Sequence, residues 1–285
     1  LSSQKRNRFG AWRYAPDSRD ADTTVTGCQM VTLFAARNAG IAAATAPYIA
    51  FLDGDDLWMP DKLARQIEYA EKYPEAGLFC CDFEHERADP HRIEIVYADD
   101  YTIDEQDTLK KFFLHGGTIL PATSLIRRDV FDVAGGFDED FKYCNDGEMW
   151  TRVAHHFSIV RTPGIMAVKR EMDNSISSNI EKRLEAMHEI SERGYRMRPD
   201  LRRYDRRRRS RLEIQAGLGR LARRDAGGAW KHFARATMLD PASGRNWSYL
   251  VLTSLPGHPD WWLRKAKALL AALRAVTGYR SLVPS

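Results

Sequence analysis

Cysteine is scarce in this chain and long apolar stretches are missing from it. The four cysteines, Cys28, Cys80, Cys81 and Cys144, match no paired metal-ligand spacing. Cys80 and Cys81 are adjacent, so on a strand they point to opposite faces. We read them as buried free thiols of a reducing compartment. No apolar run is long enough to cross a bilayer, and the start of the sequence has no signal-peptide pattern. These absences lead us to expect a cytoplasmic protein, with peripheral contact at the inner face of the cell membrane as an extension of that expectation. At 285 residues the chain is long enough to bury a substantial core.

Charge is uneven along the chain. Residues 1–180 hold 20 Lys+Arg against 29 Asp+Glu, a net −9, and residues 181–285 hold 23 against 10, a net +13. An acidic first part is therefore followed by a basic one. The densest basic run, from Arg202 through Arg206-Arg207-Arg208-Arg209 to Arg211, is read first as a solvated helix face and second as a surface for anionic lipid. No nucleic-acid-binding signature accompanies it, so nucleic acid is not an expected partner.

The most informative segment is Asp53-Gly54-Asp55-Asp56, placed between the apolar run Tyr48–Leu52 and Leu57-Trp58-Met59-Pro60-Asp61-Lys62-Leu63. A short apolar run of this kind reads as a buried strand, and in α/β sheets ligands collect beyond the carboxyl ends of strands. Carboxylates so close together resist joint ionisation unless a cation lies between them. Hard oxygen ligands suit Mg²⁺ or Mn²⁺. The plain alternative is a turn with a helix cap, since Asp caps helices and Pro60 favours a first helical turn.

Periodicity supplies the frame around that segment. Leu63, Ile67 and Ala70 recur at helical spacing before Pro74, and Leu78–Phe83 reads as a strand. Leu109, Phe112 and Phe113 suggest a helix. Ala122–Ile126 suggests a strand leading to a short helix through Val130 and Phe131 that stops at Gly135-Gly136, and a further helix is expected from about Asp146 to His156. Asp146 would sit at that helix's N-terminal end, either as its cap or as an anion stabilised by the helix dipole. Adjacent His155 and His156 should not present both rings on one side of the helix. An apolar strand Ile165–Val168 ends in Lys169-Arg170.

Several of these parts together resemble the family 2 glycosyltransferases. Ala36-Arg37-Asn38-Ala39-Gly40 precedes the strand that ends in the Asp cluster and Leu57-Trp58, and Gly135-Gly136-Phe137-Asp138-Glu139 is followed by Asn145-Asp146-Gly147-Glu148-Met149-Trp150. The resemblance covers about residues 34–180. It implies an α/β fold of the GT-A type, a nucleotide-diphosphosugar transferase sandwich, here truncated or altered at its N-terminus and followed by an α-helical extension. Residues 1–33 are expected to be irregular. They lack the Pro-x-Tyr-Asn and Asp-Asp-Gly-Ser strand ends usual in the family, and a fragment, an alternative start or a reading-frame disturbance upstream is expected. Where the family has Glu-Asp and often an aromatic, this chain has Asn145 and Gly147 around Asp146.

By that resemblance Asp146 would be the catalytic base, Asp55 and Asp53 would hold a Mn²⁺ or Mg²⁺ ion, and Arg37, Asn38, Asp53 and Arg170 would bind the donor. The implied activity is metal-dependent, inverting transfer of a sugar from a nucleotide-diphosphosugar, a UDP-sugar foremost, to a glycan or lipid-linked acceptor in cell-surface glycan biosynthesis. The absence of a Gln-x-x-Arg-Trp motif points to non-processive action, and the absence of a Gly-rich phosphate loop disfavours a sugar nucleotidyltransferase. The alternative is a truncated or degenerate relative acting as a non-catalytic interaction protein. The Ser-rich segment 174–179 is a candidate lid. Residues 181–285 are expected to form a basic helical extension with one tetratricopeptide-like hairpin, Leu212–Leu221 with Ala229–Leu239. A lone hairpin needs cover from the catalytic domain or from a second copy in a homodimer. Trp261–Leu270 reads as an amphipathic helix suited to docking or to a membrane surface.

Overall fold

The computed structural model describes residues 36–86, 93–96, 107–115, 119–170 and 179–254. The chain divides into two compact units, Leu1–Ile176 with Pro284–Ser285, and Ser177–Val283. Cys28, the 261–270 segment and most of the candidate lid lie outside the described residues.

In the first unit a helix at 36–43 (α1) is followed by β1 (Tyr48–Ala50), β2 (Leu57–Trp58), α2 (Lys62–Lys72), β3 (Ala76–Glu86) and β4 (Ile93–Val96). Then come α3 (Thr108–His115), a 3-10 turn at Pro121–Thr123, β5 (Ser124–Arg127), α4 (Val130–Ala134), α5 (Asn145–His156) and β6 (Ser158–Arg170). The strands form one sheet in the order β1-β5-β3-β6-β2, with β4 also against β3. This is the mixed α/β class expected, and the described part of the second unit is helical.

Strand direction decides where chemistry collects. β5 is antiparallel to both β1 and β3, and β3 is parallel to β6. Thus β1, β3 and β6 run the same way, and their carboxyl ends lie at one end of the sheet. β3 is central because Ala76–Phe83 is buried on both faces, as a near-continuous apolar run allows. Asp82 is the exception within that run. Arg161 holds it with two hydrogen bonds of 2.8 and 2.6 Å, and the Gly164 amide adds a third of 3.2 Å. The β3–β6 register shifts on either side of Asp82, so the strand bulges around a fully paired buried charge.

Packing on the sheet differs from the periodic reading at α2. Apolar spacing predicts Leu63, Ile67 and Ala70 on the inner face, but Leu63 is 38% and Ile67 40% exposed, while Lys62, Gln66 and Ala70 are fully buried. The helix is rotated so that two polar side chains face the sheet. A second difference concerns His155 and His156, whose ring centroids lie 4.6 Å apart in an edge-on contact. They meet because they occupy the last helical turn, just before the chain becomes extended at Phe157.

In the second unit α6 (Ile180–Met197), α7 (Asp205–Ala222), α8 (Ala226–Leu239) and α9 (Gly244–Ser254) follow in sequence. Asn179 caps α6 by accepting from the Lys182 amide, and Asp225 caps α8 by accepting from the Gly228 amide. The core joins Ile214, Leu221, Ala229, Phe233, Ala236 and Tyr249, with Phe233 stacked on Tyr249 at 5.2 Å. Buried polar groups cross between helices: Glu213 meets His232 at 2.7 Å, and Asn246 donates to Ser210 at 2.9 Å. The basic run is only partly a solvated face. Arg206 and Arg207 are exposed, but Arg208 is 3% exposed and donates to Ser191.

The α7–α8 contact depends on the missing side chain of Gly217, because a Cβ there would run into the Phe233 ring. Gly217→Ala should destabilise this unit by about 1–3 kcal/mol despite the higher helix propensity of alanine. Urea unfolding followed at the helical signal checks this, and an unchanged or raised midpoint would contradict it.

Candidate functional site

The acidic loop begins where β1 stops. Asp53 accepts from the Asp56 amide across a turn at 3.1 Å, which returns the chain to pair β2 with β6 through Leu57 opposite Val168 and Trp58 opposite Ala167. This pairing sets the loop beside the end of β6. Asp56 is 5% exposed and accepts from the Arg170 amide at 3.3 Å. The loop is thus a turn, as the plain alternative has it, but its acids do not cap α2, since Asp61 occupies the N-cap position and makes no side-chain cap bond.

The loop's electrostatics follow from crowding. Burial, then the charges of Asp55 and Asp53, push the Asp56 carboxyl up to about 7. Asp55, whose residue surface is largely open to water, is raised by desolvation and by Asp53. Lys169 is the leading opposing charge at both Asp55 and Asp56. Asp53 is tied instead to Arg37, whose guanidinium also lies 5.6 Å from the centre of the Phe137 ring.

Asp146 stands in the first turn of α5, not at its cap. The cap position belongs to Cys144, which takes a left-handed backbone conformation at φ 52°. Asp146 accepts from the Gly147 amide at 2.9 Å and is half-buried. Desolvation raises its carboxyl, with Lys169 and Arg37 opposing and Asp53 adding to the rise. Asp146 therefore shares its charged neighbours with the acidic loop, although it lies far from that loop in sequence.

The expected donor-binding residues fare differently. The side chain of Asn38, a donor-binding candidate by the resemblance, is hydrogen-bonded within the protein. It accepts from the Phe137 amide and donates to the Phe137 carbonyl, both at 2.8 Å, and also donates to Glu139 at 2.8 Å. It is the brace of the Gly135–Glu139 turn. Gly135 needs its φ of +76°, and a Cβ on Gly136 would stand 2.5 Å from Asn38 Oδ1. Arg152 completes the brace by donating to the carbonyls of Ala134 and Gly136 while paired with Glu148. Arg170 meets Asp56 through its backbone, and its Nε pairs with Glu86 at the end of β3 at 2.9 Å. Lys169, one residue earlier, is the cation whose charge reaches Asp55, Asp56 and Asp146.

Metal-holding capacity is limited to what the loop offers. Among the described residues no group of three or more His, Cys, Asp or Glu side chains could hold a metal ion. Asp55, raised by desolvation and by the neighbouring charge of Asp53, still fits together with Asp53 a cation shared with a diphosphate, since Mg²⁺ is commonly held by one or two carboxylates plus substrate phosphate. A cavity of about 390 Å³ lined by Asn38, Ile41, Phe131 and Phe137 includes none of these acids.

Asp56 supplies a pH test. Its folded-state value, about 7 against an ordinary 3.8, means that the folded chain holds the proton more tightly than the unfolded one. Its contribution to stability is full below pH 4 and is lost as pH rises through about 7. Asp56→Asn keeps an acceptor for the Arg170 amide. It should therefore be more stable than the parent at pH 7.5, by on the order of 2 kcal/mol, with the gap closing towards pH 4. Urea midpoints across that range without divalent metal provide the measurement.

Comparison with known proteins finds similarity to glycosyltransferases. Residues 29–134 match the model of glycosyl transferase family 2. An uncharacterised glycosyltransferase of Bacillus subtilis, YwdF, is 29% identical over 166 residues, covering 56% of this chain and 59% of that protein. One from Nostoc is 38% identical over 71 residues, covering 25% of this chain and 19% of that protein. The chain thus spans only part of the length of these relatives. Among solved structures, a mannosyltransferase from Pyrobaculum calidifontis in complex with GDP-Man and Mn²⁺ aligns at TM-score 0.45 and 16% identity over 87% of this chain and 67% of that one. TarS of S. aureus aligns at 0.47 and 12% over 81% of this chain and 43% of that one. The matched segment contains the acidic loop and five of the six described strands, so it is this part of the chain that is similar to glycosyl transferase family 2.

Proposed function

We propose that the chain is a metal-dependent, inverting, non-processive glycosyltransferase. It takes a sugar from a nucleotide-diphosphosugar, with UDP-sugars as the favoured donors, and delivers it to a hydroxyl of a glycan or lipid-linked acceptor in cell-surface glycan biosynthesis. The observation that carries this reading is the shared electrostatic neighbourhood of Asp53, Asp55, Asp56, Asp146 and Lys169 where β1 and β6 end.

Each residue then has a chemical task. Asp55 and Asp53 would hold Mg²⁺ or Mn²⁺, which when bound neutralises the departing diphosphate. Arg37 keeps Asp53 in place by pairing with it. Lys169 offers the diphosphate a fixed positive charge as its bond to the anomeric carbon breaks. Asp146 takes the proton of the acceptor hydroxyl as that oxygen attacks from the opposite face. Desolvation raises Asp146 towards neutrality, which makes it a stronger proton acceptor than an exposed carboxylate. Glu86 and Asn38 act on the frame, through Arg170 and Phe137.

Calorimetry with UDP in the presence and absence of Mn²⁺ tests the donor site. Binding should require the metal and be lost in Asp55→Asn. No binding to the parent chain under either condition would sink the reading. Asp146→Asn separates chemistry from binding. It should retain Mn²⁺–UDP affinity within about twofold while sugar transfer falls by roughly 10²–10⁴, the usual worth of a general base.

A further inference from the structure

Helix α2 buries a cation where its sequence offered leucine and isoleucine. Lys62 is fully buried, and among the described residues no carboxylate pairs with it. An unpaired ammonium in a protein interior is costly, and burial pulls Lys62 down to about 8. Its surroundings nonetheless supply two oxygen acceptors and an aromatic face. The ammonium donates to Gln66 Oε1 at 2.7 Å and to the Ser124 carbonyl at 3.3 Å, and it lies 4.3 Å from the centre of the Trp58 ring.

The same network holds one short stretch of backbone. Trp58 Nε1 donates to the Ala122 carbonyl at 2.7 Å, Gln66 Nε2 donates to the Thr123 carbonyl at 2.9 Å, and Lys62 takes the Ser124 carbonyl. Three consecutive carbonyls are therefore bound by Trp58, Gln66 and Lys62 in turn. Trp58 lies two residues after Asp56 and pairs with Ala167 of β6, two residues before Lys169. Whatever fixes Trp58 fixes the join between the acidic loop and the basic end of β6.

We propose that Lys62 is a positioning residue for the donor site: its buried ammonium clamps the Trp58 ring to the 121–124 turn and so sets the acidic loop against Lys169. This rests on reading that loop as the diphosphate site. Lys62 acts only through Trp58, since it has no exposed surface. A methionine would fill the same length without the desolvation penalty, but it would leave the Trp58 face and two buried oxygens without their donor. Of the ionisable groups around Lys62, Cys81 is the one whose charge would oppose the effect of burial on the ammonium. Cys81 of β3, with its thiol pushed up to about 12, remains neutral and donates to the Thr123 carbonyl. Asp82 is bound to Arg161, and Arg65 to Asp61 and the Pro163 carbonyl.

The test uses the full chain labelled at its tryptophan indoles, with the Trp58 signal assigned by Trp58→Phe. In the parent protein the Trp58 indole resonance should titrate with a midpoint near 8, and Lys62→Met should abolish that titration. Lys62→Met should also bind Mg²⁺–UDP about tenfold more weakly at pH 7, while Lys62→Arg recovers most of the affinity. Wild-type affinity in a folded Lys62→Met protein would overturn the proposal. If the parent chain itself fails to bind Mg²⁺–UDP, the donor-site reading falls separately. In that case, or if Lys62→Met does not fold, the parent's titration decides: a Trp58 resonance flat from pH 6.5 to 9.5 overturns the clamp, and one that moves near 8 upholds it.

Discussion

Crowding three carboxylates at the end of one short strand creates a repulsion that the rest of the first unit is arranged to contain. Asp53 is paired by Arg37, Asp56 is buried against the Arg170 amide, and Lys169 opposes the charge of Asp55, Asp56 and Asp146. What remains unneutralised is a reason to bind a cation. Such an arrangement costs the fold stability, and under the function proposed above a ligand bringing metal and diphosphate together would relieve it, as where function takes stability from a structure.

Containing that charge requires the ends of β1, β3 and β6 to lie together, and the sheet provides this by direction alone. Because β5 is antiparallel to both of its neighbours, β1 ends on the same side as β3 and its parallel partner β6. The Glu86–Arg170 pair joins the last residues of β3 and β6 directly. On the other wall, Asn38, Arg152 and two glycines brace the Gly135–Glu139 turn from α1 and α5. The motif residues there serve mostly as struts. Their amide and guanidinium groups are bound to backbone, which holds a turn more rigidly than side-chain packing alone.

Buried polar groups recur in both units with the same logic. Asp82 is fully paired, Lys62 is distributed over two oxygens and a ring face, and Glu213 meets His232 between helices. Each is costly if a partner is lost, so each specifies one arrangement of its neighbours more strictly than an apolar contact would. Where α2 places Lys62 and Gln66 inward and leaves Leu63 and Ile67 partly exposed, the binding of carbonyls at the 121–124 turn has overridden the apolar stripe.

The amino-acid sequence by itself determined the α/β class, the strand leading into the acidic loop, the helix carrying Asp146 and the helical character of residues 205–239. All of these rest on local signals: apolar period, glycine and proline punctuation, and acids beyond a strand. Which face α2 buries, that Asn38 is a brace, that the charge of Lys169 reaches Asp55, Asp56 and Asp146, and that Cys144 rather than Asp146 caps α5 were decided only by the tertiary structure. These outcomes depend on partners that lie tens of residues away, such as Asn38 with Phe137 or Asp56 with Arg170. Periodicity describes a residue's neighbours on its own element. It carries no information about which distant carbonyl or carboxylate the fold will bring against it.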